Sequence, residues 1–205
     1  MAKLYFRYAV MNAGKSTQLL QIAHDYEINN NEKILVLKPE VDTKADNFIV
    51  TRIGYDALRR KCDFLIKKQA DWLYDKVSEF KDIAIILVDE AQFLTKANVW
   101  DLAKIVTELD IPVICFGLKC DFRGYPFEGS SYLFALAQDI EEVTTRAICR
   151  KSQKPVKATV NMRLVNGKPV FSGDQVSIED EDIVHYEPVS LKEFMKRFLK
   201  SGETY

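Results

Sequence analysis

The chain has 205 residues, of which 47% are hydrophobic and 29% charged, as is typical of a soluble globular protein with one sizeable domain and at most a small appendage. A net charge of −1 provides no overall field to attract nucleic acid or an anionic membrane, and no apolar run approaches the length of a membrane span. No hydrophobic signal segment is present at the start, and the four cysteines lack a disulfide-like spacing, so we expect a reduced, cytoplasmic protein.

The first element is an apolar-rich segment, residues 4–8, which we predict to be a strand. The following residues, AVMNAGKS, match the phosphate-binding P-loop pattern G-x-x-x-x-G-K-[ST], except that its first glycine is Ala9. Lys15 would reach the phosphate oxygens and Ser16 would bind Mg²⁺, while backbone N–H groups surround the phosphates. The predicted ATP-binding residues are therefore Ala9, Val10, Met11, Asn12, Ala13, Gly14, Lys15 and Ser16. The alternative is a chance strand–turn–helix, and Ala9 is unfavourable only if its φ must be positive.

A helical pattern covers residues 17–28 and ends at three asparagines. Residues 33–38 form a short apolar run that predicts a buried strand. The polar stretch 40–57 is long for a simple connection and indicates a functional loop. Helical spacing of apolar residues returns at 70–80.

An unbroken apolar run at residues 83–88 predicts a parallel strand buried on both faces, and it ends in Asp89 and Glu90. Two carboxylates at such a position are costly unless they meet a cation, and Mg²⁺ at the P-loop would be that cation, with Asp89 in the Walker-B role. The alternative is an acidic pair that caps the next helix. We prefer the nucleotide site because both motifs occur in the expected order.

The remaining pattern predicts a helix that is N-capped by Thr95 and runs through residue 108, a buried strand at 112–117, an irregular loop at 118–129, a helix at 132–137 and a strand at 140–149. Residues 159–164 and 168–171 flank Asn166-Gly167 and predict a β-hairpin, and 191–199 predict an amphipathic helix whose basic face is solvated. Alternating strands and helices predict an α/β fold of the P-loop (RecA-like) type, with a mostly parallel sheet flanked by helices and a small C-terminal β-hairpin domain.

Taken together, these motifs resemble those of type II (cytosolic-type) thymidine kinases. The matching segments are 9–16, 88–94 (VDEAQFL) and 117–130, which contains Asp121-Phe122-Arg123-Gly124, and the resemblance covers roughly residues 2–178. It implies transfer of the ATP γ-phosphate to the 5′-hydroxyl of thymidine, with deoxyuridine as a further substrate. It also implies inhibition by dTTP and a homotetramer.

Roles for individual residues follow from the same resemblance. Lys15 and Glu90 are expected to be catalytic, Glu90 as the general base, and Ser16 and Asp89 to hold Mg²⁺. The resemblance adds Asp89, Glu90, Ala91 and Gln92 to the ATP site and Asp42 to the active site, next to Lys44 where the family has arginine. It implies a nucleoside pocket lined by Met11, Phe93, Leu118, Phe122 and Phe127, for each of which plain core packing is the alternative. We add Tyr186 to this pocket, since the family's tyrosine aligns with Val184, two residues away.

Members of this family usually carry a structural Zn²⁺, which needs four ligands. Here the first ligand pair is Cys149 and Ser152, the later pair falls near Pro188 and Leu191, and His185 is the remaining candidate. We predict no zinc, and a small domain that is held by packing instead. The predicted divisions are 1–148 as nucleotide-binding domain, 149–189 as a lasso domain without zinc ligands, and 190–205 as a C-terminal helix and tail.

Two other functions stay open at this stage. The lasso is the family's loop over the thymine base, and its usual Ile-Gly-Gly reads Ile178-Glu179-Asp180 here. This change is compatible with a RecA-like ATPase or kinase that acts on another substrate. A third possibility is a nucleotide-binding module that senses dTTP, although binding alone would not require Glu90.

Overall fold

A computed structural model describes residues 1–41, 47–51, 58–143, 148–149, 155–175 and 183–203. Its centre is a six-stranded sheet in which every strand pair is parallel. The strands, in chain order, are β1 (Leu4–Tyr8), β2 (Lys33–Pro39), β5 (Phe64–Ile66), β6 (Ile83–Val88), β7 (Val113–Gly117) and β8 (Asp139–Glu142), and their spatial order is β5-β2-β6-β7-β1-β8. Two short strands, β3 (Phe48–Val50) and β4 (Arg59–Lys61), form a separate antiparallel pair.

The sheet has an apolar layer on each face because side chains alternate along a strand. In β2, Leu35 and Leu37 pack on one face, where α2 (Trp72–Ser78), α3 (Lys96–Glu108) and α4 (Glu128–Leu136) cover the sheet. Ile34 and Val36 pack on the other face, which is covered by α1 (Lys15–His24). The continuous apolar runs of β2, β6 and β7 are thus explained by burial on both sides.

Thr95 caps α3 as its sequence position predicts. Its side chain accepts a hydrogen bond from the Asn98 N–H at 3.2 Å, and the Asn98 side chain accepts one from the Thr95 N–H at 3.1 Å. This reciprocal pair fixes the start of α3, directly after the turn that follows β6.

A smaller antiparallel sheet follows, with β9 (Val160–Val165) between β10 (Lys168–Val170) and β11 (Val184–Val189). The predicted hairpin turn is confirmed, since Asn166 and Gly167 have φ values of 49° and 74°. Helix α5 (Leu191–Ser201) begins after Ser190, whose side chain accepts from the Glu193 N–H. Its Phe194 and Phe198 pack against this sheet in one apolar cluster.

Several predicted boundaries were wrong. The strand predicted at 140–149 is β8, which ends at Glu142 because its partner β1 ends at Tyr8 and turns into the P-loop. Helix α4 begins at Glu128, which lies inside the predicted loop 118–129 and before residue 132, where the helix was predicted to start. Helix α1 begins at Lys15, and a π-helical turn, Asp25–Asn29, follows it. Part of the stretch 40–57, including Asp42 and Lys44, lies outside the described residues.

Among the residues that the structure describes, no helix is long and apolar enough to cross a membrane.

Candidate active site

The P-loop connects the carboxyl end of β1 to α1. Within its described residues a positive φ occurs at Asn12 (57°) and Gly14 (85°) and not at Ala9. The methyl group of Ala9 lies in an apolar cluster, and its N–H donates to the Gly117 oxygen at 3.2 Å. Alanine is therefore tolerated at the position where the motif has its first glycine, whereas Gly14 meets the conformational demand at the start of the helix.

Lys15 points back into this loop and is buried. Its Nζ donates to the Val10 oxygen at 3.0 Å. Burial lowers the pKa of Lys15, and the nearby carboxylates of Glu90 and Asp89 oppose that shift. The ammonium group thus sits in the electrostatic field of two acidic side chains that belong to a different element.

Asp89 follows β6 and faces the first turn of α1. Its Oδ2 accepts the Ser16 hydroxyl at 3.0 Å and its Oδ1 accepts the Glu90 N–H at 3.0 Å. Burial, followed by the charge of Glu90, raises the pKa of Asp89 to about 7, although Ser16, the Glu90 N–H and Lys15 act in the opposite direction. Such a carboxylate is readily stabilised by a cation.

A hydroxyl oxygen and a carboxylate oxygen next to a phosphate loop are the hard ligands that Mg²⁺ takes together with phosphate and water. The donor set of Ser16 and Asp89 therefore fits this ion. No group of three or more His, Cys, Asp or Glu side chains that could form an all-protein metal site occurs in the described ranges.

Glu90 has a left-handed backbone conformation, with φ of 50°, and begins the 3-10 turn Ala91–Phe93. Gln92 holds its carboxylate: Gln92 Nε2 donates to Glu90 Oε2 at 2.5 Å, while Gln92 Oε1 accepts the Leu118 N–H at 3.0 Å. Because the Leu118 N–H needs an acceptor, the Gln92 amide must turn its nitrogen towards Glu90. Gln92, which was expected to contact ATP, is thus also a support for the predicted base.

The aromatic residues of the predicted nucleoside pocket form two pairs. Phe93 and Phe127 meet edge to face with ring centroids 5.7 Å apart, and Phe122 and Tyr186 meet at 6.4 Å. Phe122 and Phe127 are buried, whereas Phe93 and Tyr186 are partly exposed. The other two predicted pocket residues, Leu118 and Met11, have hydrogen-bonded backbone groups. The Leu118 oxygen accepts a hydrogen bond from the Ser130 hydroxyl, and the Met11 N–H donates one.

Neither Asn161 nor Asp121 is assigned a role from the sequence alone. The Oδ1 of Asn161, in β9, accepts the Met11 N–H at 2.9 Å. Asp121 is fully buried and accepts from Arg123 Nη2 at 2.7 Å and from Gln175 Nε2 at 3.3 Å, and Arg123 Nη1 donates to the Gly173 oxygen at 3.1 Å. Both contacts join the small domain to the main one. The spacing of Asp121 and Gly124 signals a turn, but no local pattern singles out Asn161.

Cys149, the first predicted zinc position, lies in the apolar cluster of the small domain, and His185 is exposed. Ser152 is outside the described residues. These positions do not form a ligand set in the described part of the chain, and the absence of zinc remains a prediction.

A phosphate loop that faces an acidic pair with one buried member, Asp89, at the carboxyl edge of a parallel sheet, defines a P-loop nucleotide-binding protein. Comparison with known proteins identifies the family to which it belongs. A family model described as "Thymidine kinase" matches residues 2–183, and the chain belongs to this family. It is 45% identical over 179 residues to a thymidine kinase of Streptococcus thermophilus (strain CNRZ 1066), an alignment that covers 87% of each chain. It is 40% identical over 198 residues to a thymidine kinase of Lactococcus lactis subsp. lactis (strain IL1403), covering 96% of this chain and 98% of that relative.

Proposed function

We propose that this protein phosphorylates thymidine, with ATP as the phosphate donor and Glu90 as the general base. The observation that carries the proposal is the contact of Ser16 with Asp89 at 3.0 Å, because it brings the phosphate loop against the acidic pair that ends β6. Membership of the thymidine kinase family supports thymidine as the acceptor.

Phosphoryl transfer depends mostly on positioning and on neutralising charge. Lys15 would exchange its bond with the Val10 oxygen for the phosphate oxygens, and the first-turn N–H groups of α1 would bind the same group. Glu90 would accept the proton of the thymidine 5′-hydroxyl, and Gln92 would keep its carboxylate in one orientation.

Ser16 and Asp89 would hold Mg²⁺. When it is bound, this ion supplies positive charge that neutralises the triphosphate. The aromatic pairs Phe93–Phe127 and Phe122–Tyr186, with Met11 and Leu118, remain the proposed lining of the nucleoside pocket.

The decisive experiment is Glu90→Gln. We expect kcat for thymidine-dependent ADP production to fall roughly 10²- to 10⁴-fold, because the hydroxyl loses its proton acceptor. ATP binding, measured with a non-hydrolysable analogue, should stay within about twofold of the parent protein, since glutamine keeps the size of the side chain and Lys15 and the loop N–H groups are the proposed phosphate ligands. Glu79→Gln, at the exposed end of α2, is the matched control and should leave both quantities unchanged.

Two results would refute the proposal. ADP production that does not depend on thymidine would favour the RecA-like ATPase, and full activity in Glu90→Gln would remove Glu90 from the reaction.

Further proposals rest on the resemblance to the family alone: acceptance of deoxyuridine, inhibition by dTTP and assembly as a homotetramer. A cytoplasmic location is proposed from the cysteine usage, and the division of the chain at residues 148/149 and 189/190 is proposed from the sequence.

A further inference from the structure

The phosphate loop is in contact with the small domain as well as with its own sheet. Asn161 lies in β9, 150 residues along the chain from Met11, and its Oδ1 accepts the Met11 N–H at 2.9 Å. The residue is only 4% exposed. A buried amide that is shared by two distant segments fixes their relative position, because either partner alone would leave a polar group unsatisfied.

The apolar side of the same loop packs against the chain that leads into β9. Ala9, Val10 and Ala13 form a cluster with Val143 and Ala158. Since Ala158 precedes β9 by two residues, the hydrogen bond and the apolar contact come from one edge of the small domain.

β9 is a rigid platform for these contacts. It is the central strand of its sheet, paired with β10 on one side and with β11 along its whole length on the other. Asn161 itself lies opposite Pro188 in that register. The loop is therefore held by the central strand of this sheet, at the half of β9 that pairs with β11.

The loop needs such a support because of what Lys15 does. In this structure Lys15 Nζ donates to the Val10 oxygen, a bond that ends when the ammonium group turns to a phosphate. The second half of the loop is held by α1, which begins at Lys15, whereas the first half is then held from outside the loop. Its outside contacts include the hydrogen bonds of the Ala9 N–H to Gly117 and of the Met11 N–H to Asn161, and the apolar packing of Ala9 and Val10.

We propose that Asn161 is a positioning residue for the phosphate loop, through which the small domain contributes to ATP binding. This inference rests on the proposed function insofar as the loop binds ATP. Its consequence is that damage to the Asn161 contact weakens the binding of ATP itself, in the absence of any nucleoside.

The test is Asn161→Leu, which keeps a side chain branched at Cγ and removes the acceptor. The dissociation constant of a non-hydrolysable ATP analogue, measured with Mg²⁺ and without thymidine, should rise roughly two- to tenfold, the range that one net hydrogen bond supplies. At saturating ATP, kcat should change less than KM for ATP.

Met162→Ala is the matched control. Met162 is the next residue of β9, is fully buried in the apolar cluster of the small domain, and does not belong to the cluster at the loop. It should lower the melting temperature at least as much as Asn161→Leu, yet leave the ATP dissociation constant within about twofold, since it removes packing and no contact with the loop. If Asn161→Leu does not fold, Asn161→Ala takes its place with the same expectation.

Amide exchange gives a readout that needs no ATP. The Met11 amide should exchange slowly in the parent protein and in Met162→Ala, and much faster in the Asn161 variant. Unchanged ATP binding in that variant, equal weakening by both substitutions, or an unprotected Met11 amide in the parent protein would each overturn the inference. A parent protein that binds ATP but is not stimulated by thymidine would instead count against the proposed function alone.

Discussion

The carboxyl group of Asp89 is buried beside a second carboxylate, and this raises its pKa to about 7. In the unfolded chain an aspartate titrates near about 3.9. Between these two values the folded protein binds a proton that the unfolded chain has already released. Stability therefore falls as pH rises from about 4 to 7, which is the opposite of the effect of a salt-bridged aspartate.

Neutralising this residue should stabilise the protein that holds neither nucleotide nor metal. At pH 8 in the presence of EDTA, Asp89→Asn should raise the free energy of unfolding by about 1–3 kcal/mol relative to the parent protein, because no charge then has to be buried. The gain should shrink towards zero below about pH 4, where the Asp89 carboxyl of the parent becomes protonated in the unfolded chain as well as in the folded protein.

Urea unfolding at a series of pH values measures this difference, and the same variant should lose kinase activity. Asp139→Asn on the exposed strand β8 makes the same change of charge and serves as the control. If Asp89→Asn were less stable than the parent protein at pH 8, burial of the charged Asp89 carboxylate could not be destabilising the folded parent protein.

At the scale of elements, the turn that carries Gln92 and the start of α4 touch backbone to backbone. A Cβ atom on Gly129 would lie 2.5 Å from the Ala91 oxygen and 2.8 Å from the Leu94 oxygen. Both neighbours are carbonyl groups of a short turn, which cannot move away as a flexible side chain could. Glycine is required here by the close approach of two chain segments.

Gly129→Ala should therefore be destabilising by about 1–3 kcal/mol, as for an overpacked core. Helix propensity alone gives the opposite sign, since alanine in place of a helical glycine usually stabilises by about 1 kcal/mol. We also expect kcat to fall, because displacing the turn moves Gln92 and with it the carboxylate of Glu90.

Urea unfolding and steady-state kinetics check both effects. Ser131→Ala, two residues further along the exposed side of α4, is the control that introduces an alanine without the contact. A stabilised Gly129→Ala protein would mean that α4 and the turn are not held together as described.

The elements that were predicted well from the sequence are the strands that are buried along nearly their whole length. The continuous apolar runs of β2, β6 and β7 identified the centre of the sheet, and the P-loop and the acidic pair identified its carboxyl edge. The three-residue strands β3, β4 and β5 are too short to show a period and were missed, β3 within the stretch predicted as a loop. The end of β8 is set by its partner β1, which is information that β8 itself does not contain.

The same limit applies to the site. Residue types and spacing were sufficient to single out Lys15, Ser16, Asp89 and Glu90, because each belongs to a short local motif. Asn161 and the Asp121–Gln175 contact depend on how the small domain docks. Such contacts between segments far apart in the chain follow from packing, for which a single sequence carries no direct signal.

For the whole molecule, an aromatic cluster joins helix α5 to the C-terminal antiparallel sheet. Phe171 lies edge to face with Phe194 and Phe198, at centroid distances of 5.4 and 5.3 Å. Cys149 is buried in this cluster as an apolar residue. Helix α5, which supplies two of the three rings, is thus stabilised by packing against the sheet of β9.

This arrangement predicts a protein that is insensitive to chelation and sensitive to loss of a ring. In the nucleotide-free protein, EDTA should leave the melting temperature unchanged, and atomic absorption should find no stoichiometric zinc.

Phe194→Ala should lower the free energy of unfolding by about 3–5 kcal/mol, as for a large-to-small substitution in a core, whereas Leu199→Ala on the exposed side of α5 should lower it little. Since the small domain also carries Asn161, Phe194→Ala should weaken ATP binding as the domain loosens. A melting temperature that falls with EDTA and recovers with zinc would show that a metal, and not the aromatic cluster, holds this domain together.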